Sequence, residues 1–102
     1  MDKTAVRELA KQYVHEVRKF LQPQSIILFG SYVNGNPHEY SDVDIAVVFD
    51  GFDGDWLETS TYLAGIAWDM NCDIEPHLMD LSNDRSGFLQ HIQQTGEVIY
   101  SA

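Results

Sequence analysis

Apolar positions in the first part of the chain recur at helical spacing. Val6, Leu9, Ala10, Tyr13, Val14, Val17, Phe20 and Leu21 fall on one stripe of a 3.6-residue repeat. This predicts one amphipathic helix from Asp2 to Leu21, closed by Pro23. The period then changes. Ser25-Ile26-Ile27-Leu28-Phe29 is a continuous apolar run, as in a buried strand, and it stops abruptly at Gly30. Ser31 to Asn34 reads as a single helical turn ended by Gly35, Asn36 and Pro37. A second strand runs from Asp42 to about Asp50. Its alternation puts Val43, Ile45 and Val47 on one face, with Asp42, Asp44, Ala46 and Val48 on the other. Beyond the two acids both faces are apolar, which marks a central strand.

The acidic segment Asp50-Gly-Phe-Asp-Gly-Asp55 is a turn-rich loop without the ligand alternation or closing glutamate of an EF-hand. Asp55 followed by Glu58 reads as a capping box, opening a helix through Leu57, Leu63, Ile66, Ala67 and Met70. Trp56 and Trp68 are expected to pack. A third strand is predicted from Cys72 to Met79, with Pro76 pointing to a sheet edge or an irregular end. Ser86 to Thr95 is a short helix burying Phe88, Leu89 and Ile92. Gly96 is its stop, and Val98 to Tyr100 adds a last short strand.

The chain has 102 residues, which predicts one domain over 1–102 with one modest core and no room for a separate substrate-recognition module. A partner is therefore expected. The hydrophobic fraction is 44% without a long apolar run, so neither a membrane span nor a signal peptide is indicated and the cytoplasm is the default compartment. The single cysteine, Cys72, has no internal disulfide partner and reads as a small core residue. The net charge of −10, from 16 acids against 6 Lys plus Arg, repels polyanions. Long nucleic acids are thereby disfavoured as substrates, since they require several Lys or Arg contacts. A small molecule or a protein is favoured as acceptor. His15, His38, His77 and His91 are unclustered in sequence and read as surface or packing residues, with His77 on the third strand.

The candidate chemistry lies between Phe29 and Asp44. The strand ending at Gly30 offers the backbone amides of Gly30 and Ser31 to an anion. Asp42 and Asp44, two apart on a strand, emerge on the same face with α-carbons roughly 6.6 Å apart. Carboxylates so placed can share a hard divalent cation that also binds the oxygens of a substrate phosphate. Asp73 and Glu75 are likewise two apart, so an extended strand presents both on one face.

At Phe29-Gly-Ser-Tyr-x-x-Gly35 and Ser41-Asp-x-Asp44 the chain resembles the nucleotidyltransferase superfamily that includes DNA polymerase β, and within it the minimal nucleotidyltransferases. That resemblance implies an α/β (α+β) fold of the polymerase β-like nucleotidyltransferase type, a small mixed sheet of about four strands with helices packed mainly on one face. It implies Mg2+, as two ions, and ATP as substrate. Asp42 and Asp44 would be metal ligands and catalytic, and Gly30 and Ser31 would bind the nucleotide. A third catalytic and metal-binding acid is implied on a later strand: Glu75 is the first choice and Asp73 the alternative. Ser41 would orient Asp42 or cap the turn. The implied reaction is transfer of AMP to a hydroxyl, a tyrosine of a helical HEPN toxin, by the antitoxin of a type VII toxin–antitoxin pair. Two other readings remain: an antitoxin that neutralises by binding alone, and the catalytic subunit of a two-chain small-molecule nucleotidyltransferase. This chain departs from many relatives in carrying Tyr32 and Asn34 where Arg or Lys often follows the Gly-Ser pair.

Overall fold

The two runs that read as apolar on both faces, β1 (Ser25–Phe29) and β2 (Val43–Phe49), form the middle of a four-stranded sheet of order β3-β2-β1-β4. The computed structural model describes residues 2–34, 42–71 and 73–102; the expectations for Gly35, Asn36, Pro37, His38, Ser41 and Cys72 fall outside them. β1 and β2 pair antiparallel, with Ile27 opposite Ala46 and Phe29 opposite Asp44. β3 (Ile74–Asp80) runs parallel to β2, and β4 (Glu97–Ser101) antiparallel to β1. A parallel pair needs a long crossover, which the helix α3 (Trp56–Met70) supplies. The sheet is mixed, as the resemblance implied, and Pro76 lies on an edge strand, where a missing amide is tolerated.

Strand alternation divides the core in two. Ile26, Leu28, Val43, Ile45, Val47 and Ile74 face α1 (Lys3–Val17) and α3, where Val6, Ala10, Tyr13, Val17, Leu63 and Ala67 meet them. Ile27, Phe29, Ala46 and Val48 face the opposite way and are covered by Leu89 and Ile92 of α4 (Phe88–Thr95). The two long helices thus share one face and the short one takes the other. Tyr13 pins α1 to α3 by donating its hydroxyl to the Leu63 carbonyl at 2.8 Å. Asp2 and Asp55 cap α1 and α3, accepting from the amides of Ala5 and Glu58 at 2.8 Å each. Gly96 allows α4 to close on β1: a β carbon there would lie 2.6 Å from Ile27 Cγ2 and 2.7 Å from the Ile92 carbonyl oxygen. Among the described residues no helix is long and apolar enough to cross a membrane.

Several elements differ from the sequence expectation. α1 ends at Val17 rather than Leu21, because the chain tightens into i to i−3 bonds from Lys19 to Glu16 and from Phe20 to Val17. Phe20 consequently leaves the buried stripe and is 76% exposed. On α3, Leu57 (76% exposed) and Trp68 (74%) point to solvent, contrary to the packing expected of them. They are eleven residues apart, three helical turns, and share a stripe turned about a third of the way round the helix from Leu63 and Ala67. Trp56 is half-exposed with its ring edge-on to Phe52. α4 begins at Phe88, two residues later than expected, because the Asp84 carboxylate takes the amides of Leu89 and Gln90 at 3.1 and 3.0 Å. Phe88 is half-exposed instead of buried, set edge-on to Phe29.

Asp80, at the end of β3, ties together the loops flanking α3 and following β3. Its carboxylate accepts from the amides of Ser82, Gly51 and Phe52 at 2.9 Å each and from the Ser82 hydroxyl at 2.8 Å. Those bonds, the Ser82 amide foremost, hold its carboxyl down at about 2 from an ordinary value of 3.8. A depressed carboxyl contributes stability that is complete above its unfolded value and is lost as pH falls through its folded value. Asp80→Asn is therefore expected to lower the thermal midpoint at neutral pH by several degrees. It should also flatten the loss of stability between pH 3.8 and about 2 relative to wild type, measured by thermal melts across that range.

Candidate active site

β1 ends and β2 and β3 begin at the same end of the sheet, and there the acidic residues converge. Asp42 lies exposed just before β2, and Asp44 is inside it, opposite Phe29 on one side and Glu75 on the other. Alternation along β2 turns Asp44 to the α4 face of the sheet, the face of Ala46 and Val48. The parallel register does the same for β3: Glu75 is paired with Asp44, and His77 with Ala46. His77 Nε2 lies 3.2 Å from Asp44 Oδ1 and 4.0 Å from Glu75 Oε1. One ligand atom each from Asp44, Glu75 and His77 lies within 4.8 Å of the others.

Asp73 stands apart from this cluster. It sits in the turn ahead of β3, where its amide donates to Asn71 Oδ1 and its carbonyl accepts from Val43, each at 2.8 Å. Its backbone aligns β2 and β3, while its side chain is exposed. His77 is the residue that sequence reasoning passed over. It does pack, its ring tilted against Phe29 with centroids 5.2 Å apart, but its Nε2 turns to the acids. The available signal was its spacing of two from Glu75 on a predicted strand.

Gly30 makes room for Asp44. Its φ is +83°, a conformation that other L-residues rarely adopt. A β carbon built on it would collide with Asp44 Oδ2 and lie 3.2 Å from Cγ. The carboxylate therefore rests directly on the turn that was expected to hold phosphate. Ser31 opens the single-turn helix α2 (Ser31–Asn34), closed by the Val33 amide donating to the Gly30 carbonyl at 3.1 Å. Tyr32 is buried in the α1 side of the core, so the residue after the Gly-Ser pair serves packing.

Gathering these acids is electrostatically costly. Partial burial foremost, then the nearby Asp42 carboxylate, to which the protonated Glu75 carboxyl would donate, and the charges of Asp44 and Asp42, raises the Glu75 carboxyl above its ordinary value, with His77 opposing. Among the described residues no Lys or Arg forms an ion pair with Asp42, Asp44 or Glu75. A divalent cation fits this donor set. The carboxylates of Asp44 and Glu75 and the His77 imidazole converge, and the glycine lets Asp44 meet the turn closely.

The family model described as "Polymerase beta, Nucleotidyltransferase" matches residues 11–102. A Methanocaldococcus jannaschii protein, whose name assigns it provisionally to the protein adenylyltransferases, is 34% identical over 58 residues, 57% of this chain and 59% of that protein. The match thus spans less than two thirds of that relative. A crystal structure of a toxin–antitoxin with AMP-PNP superposes with a TM-score of 0.62 at 28% identity, covering 90% of this chain and 73% of the other. A tri-AMPylated Shewanella oneidensis HEPN toxin in complex with its MNT antitoxin gives a TM-score of 0.63 at 24% identity, covering 94% and 73%. That last likeness shows the fold alone.

Proposed function

The chain belongs to the polymerase β nucleotidyltransferase family, and from that premise we propose that it transfers AMP from ATP to a tyrosine hydroxyl of a partner HEPN toxin, acting as its antitoxin. The carrying observation is the convergence of Asp44, Glu75 and His77 on one sheet face against the Gly30 turn, with Asp42 two residues ahead of Asp44. The protein adenylyltransferase name of the M. jannaschii relative supports the choice of group, and the likeness at 28% identity to a toxin–antitoxin with AMP-PNP supports an adenine nucleotide and a toxin partner.

In this reading the acceptor oxygen forms a bond to the α-phosphorus as the bond to the β-phosphate oxygen breaks, and pyrophosphate leaves. Two bound Mg2+ ions would neutralise the triphosphate and polarise the reacting phosphoryl group. Asp42, Asp44 and Glu75 would hold them, with Glu75 preferred to Asp73 on its position beside Asp44. Gly30 and Ser31 donate to the terminal phosphates through amides and hydroxyl. Glu75 receives the acceptor's proton.

The test is transfer of label from α-labelled ATP to a HEPN-type protein encoded beside this chain's gene, in the presence of Mg2+, with peptide mapping of the modified residue. Label on a tyrosine is the expected result. No label on that partner, with ATP and metal both saturating, would overturn the proposal.

A further inference from the structure

We propose that His77 is a direct ligand of the divalent ion, making the centre a mixed carboxylate–imidazole site that favours manganese(II) over magnesium; this rests on reading the cluster as the metal site. Donors around one octahedral ion at about 2.1 Å stand about 3.0 Å apart when adjacent and about 4.2 Å apart when opposite. His77 Nε2 is 3.2 Å from Asp44 Oδ1 and 4.0 Å from Glu75 Oε1, so both separations fall within that interval. The three donors come from neighbouring strands whose register is held by the ladder, and the imidazole is further held by Phe29. The arrangement therefore exists before any ion arrives.

The imidazole among these donors changes which ion is preferred. Oxygen-only sites suit magnesium, whereas an imidazole nitrogen adds affinity for first-row transition ions, in the order Mn2+ below Fe2+, Co2+ and Ni2+. Among these Mn2+ retains the high coordination to water and phosphate oxygen that nucleotide chemistry needs. The competing role for His77 is to donate a hydrogen bond to Asp44 Oδ1 and stay outside the coordination shell.

Pulsed electron paramagnetic resonance of Mn2+ bound to the full chain separates these. Expected is a 14N coupling of directly bound imidazole that converts to 15N when histidine is 15N-labelled and vanishes in His77→Gln. By titration, Mn2+ affinity should fall at least about tenfold in His77→Gln, with Mg2+ affinity moving far less. Bound Mn2+ without nitrogen coupling in the wild-type protein, or coupling that persists in His77→Gln, would overturn the assignment and leave the carboxylate site standing. Wild-type protein that takes up no Mn2+ overturns the metal-site reading itself. Coupling that persists when His15, His38 and His91 are all replaced by Gln assigns it to His77 even if His77→Gln is poorly folded, and its loss there would overturn the assignment.

Discussion

Replacing Asp42 and Asp44 together with Asn is expected to reduce the proposed AMP transfer by a factor on the order of 10³ or more while leaving the chain folded. The amide keeps the shape of the carboxylate but carries no charge to hold a cation against the triphosphate. Asp42 is exposed and Asp44 only partly buried, so neither substitution opens a core cavity. Removing two like charges also relieves Glu75, whose carboxyl is raised first by partial burial and then by these neighbours. The thermal midpoint of the double variant, measured without metal, should therefore match or exceed that of wild type. Added Mn2+ or Mg2+ should stabilise the wild-type protein and leave the variant unmoved. If the variant no longer labels the partner yet still neutralises it in cells, the partner is restrained by binding, and AMP transfer is not the basis of protection.

Gly30→Ala should be damaging in a different way, through geometry. The φ of +83° costs an L-residue about 1–2 kcal/mol, and the collision with the Asp44 carboxylate adds about 1–3 kcal/mol unless that side chain moves. Either the fold loses about 2–5 kcal/mol or Asp44 is displaced. A displacement near 1 Å is enough to cost about 100-fold in transfer. Gly51→Ala is the matched control: its φ is +76°, but a β carbon there meets nothing within 4 Å. It should lose only the backbone part, near 1–2 kcal/mol, with transfer retained. Denaturant midpoints and transfer rates of the two variants isolate the contact with Asp44. Equal stability losses with equal retained activity would show that the Gly30 turn does not support the carboxylate.

Much of this site is written in local spacing. The run from Ser25 to Phe29, the stop at Gly30 and the two-residue interval between Asp42 and Asp44 are enough to predict two strands, a turn and two acids on one face. Backbone alternation guarantees the last of these whatever the rest of the chain does. The caps at Asp2 and Asp55 are local as well, since each acts on an amide three residues away. Helix ends were less legible. The tightened turn after Val17 and the capture of the α4 amides by Asp84 depend on particular hydrogen bonds that periodicity does not encode. Trp68 and Leu57 read as core by composition, yet lie on the outward stripe of α3, because only one side of that helix meets the sheet.

The sequence by itself therefore determined which residues share a face within each strand, and where the chain must turn. Which strands lie side by side, and in what register, was decided only by the tertiary structure. Asp73 and Glu75 are equivalent under alternation alone. They separate because β3 begins at Ile74 and pairs with β2 in the register that sets Glu75 beside Asp44, leaving Asp73 in the turn. The same register carries His77 to the acids, though more than thirty residues separate it from Asp44 along the chain. Pairing across the α3 crossover depends on packing both strands against two layers of helices, and no residue interval within either strand contains that information.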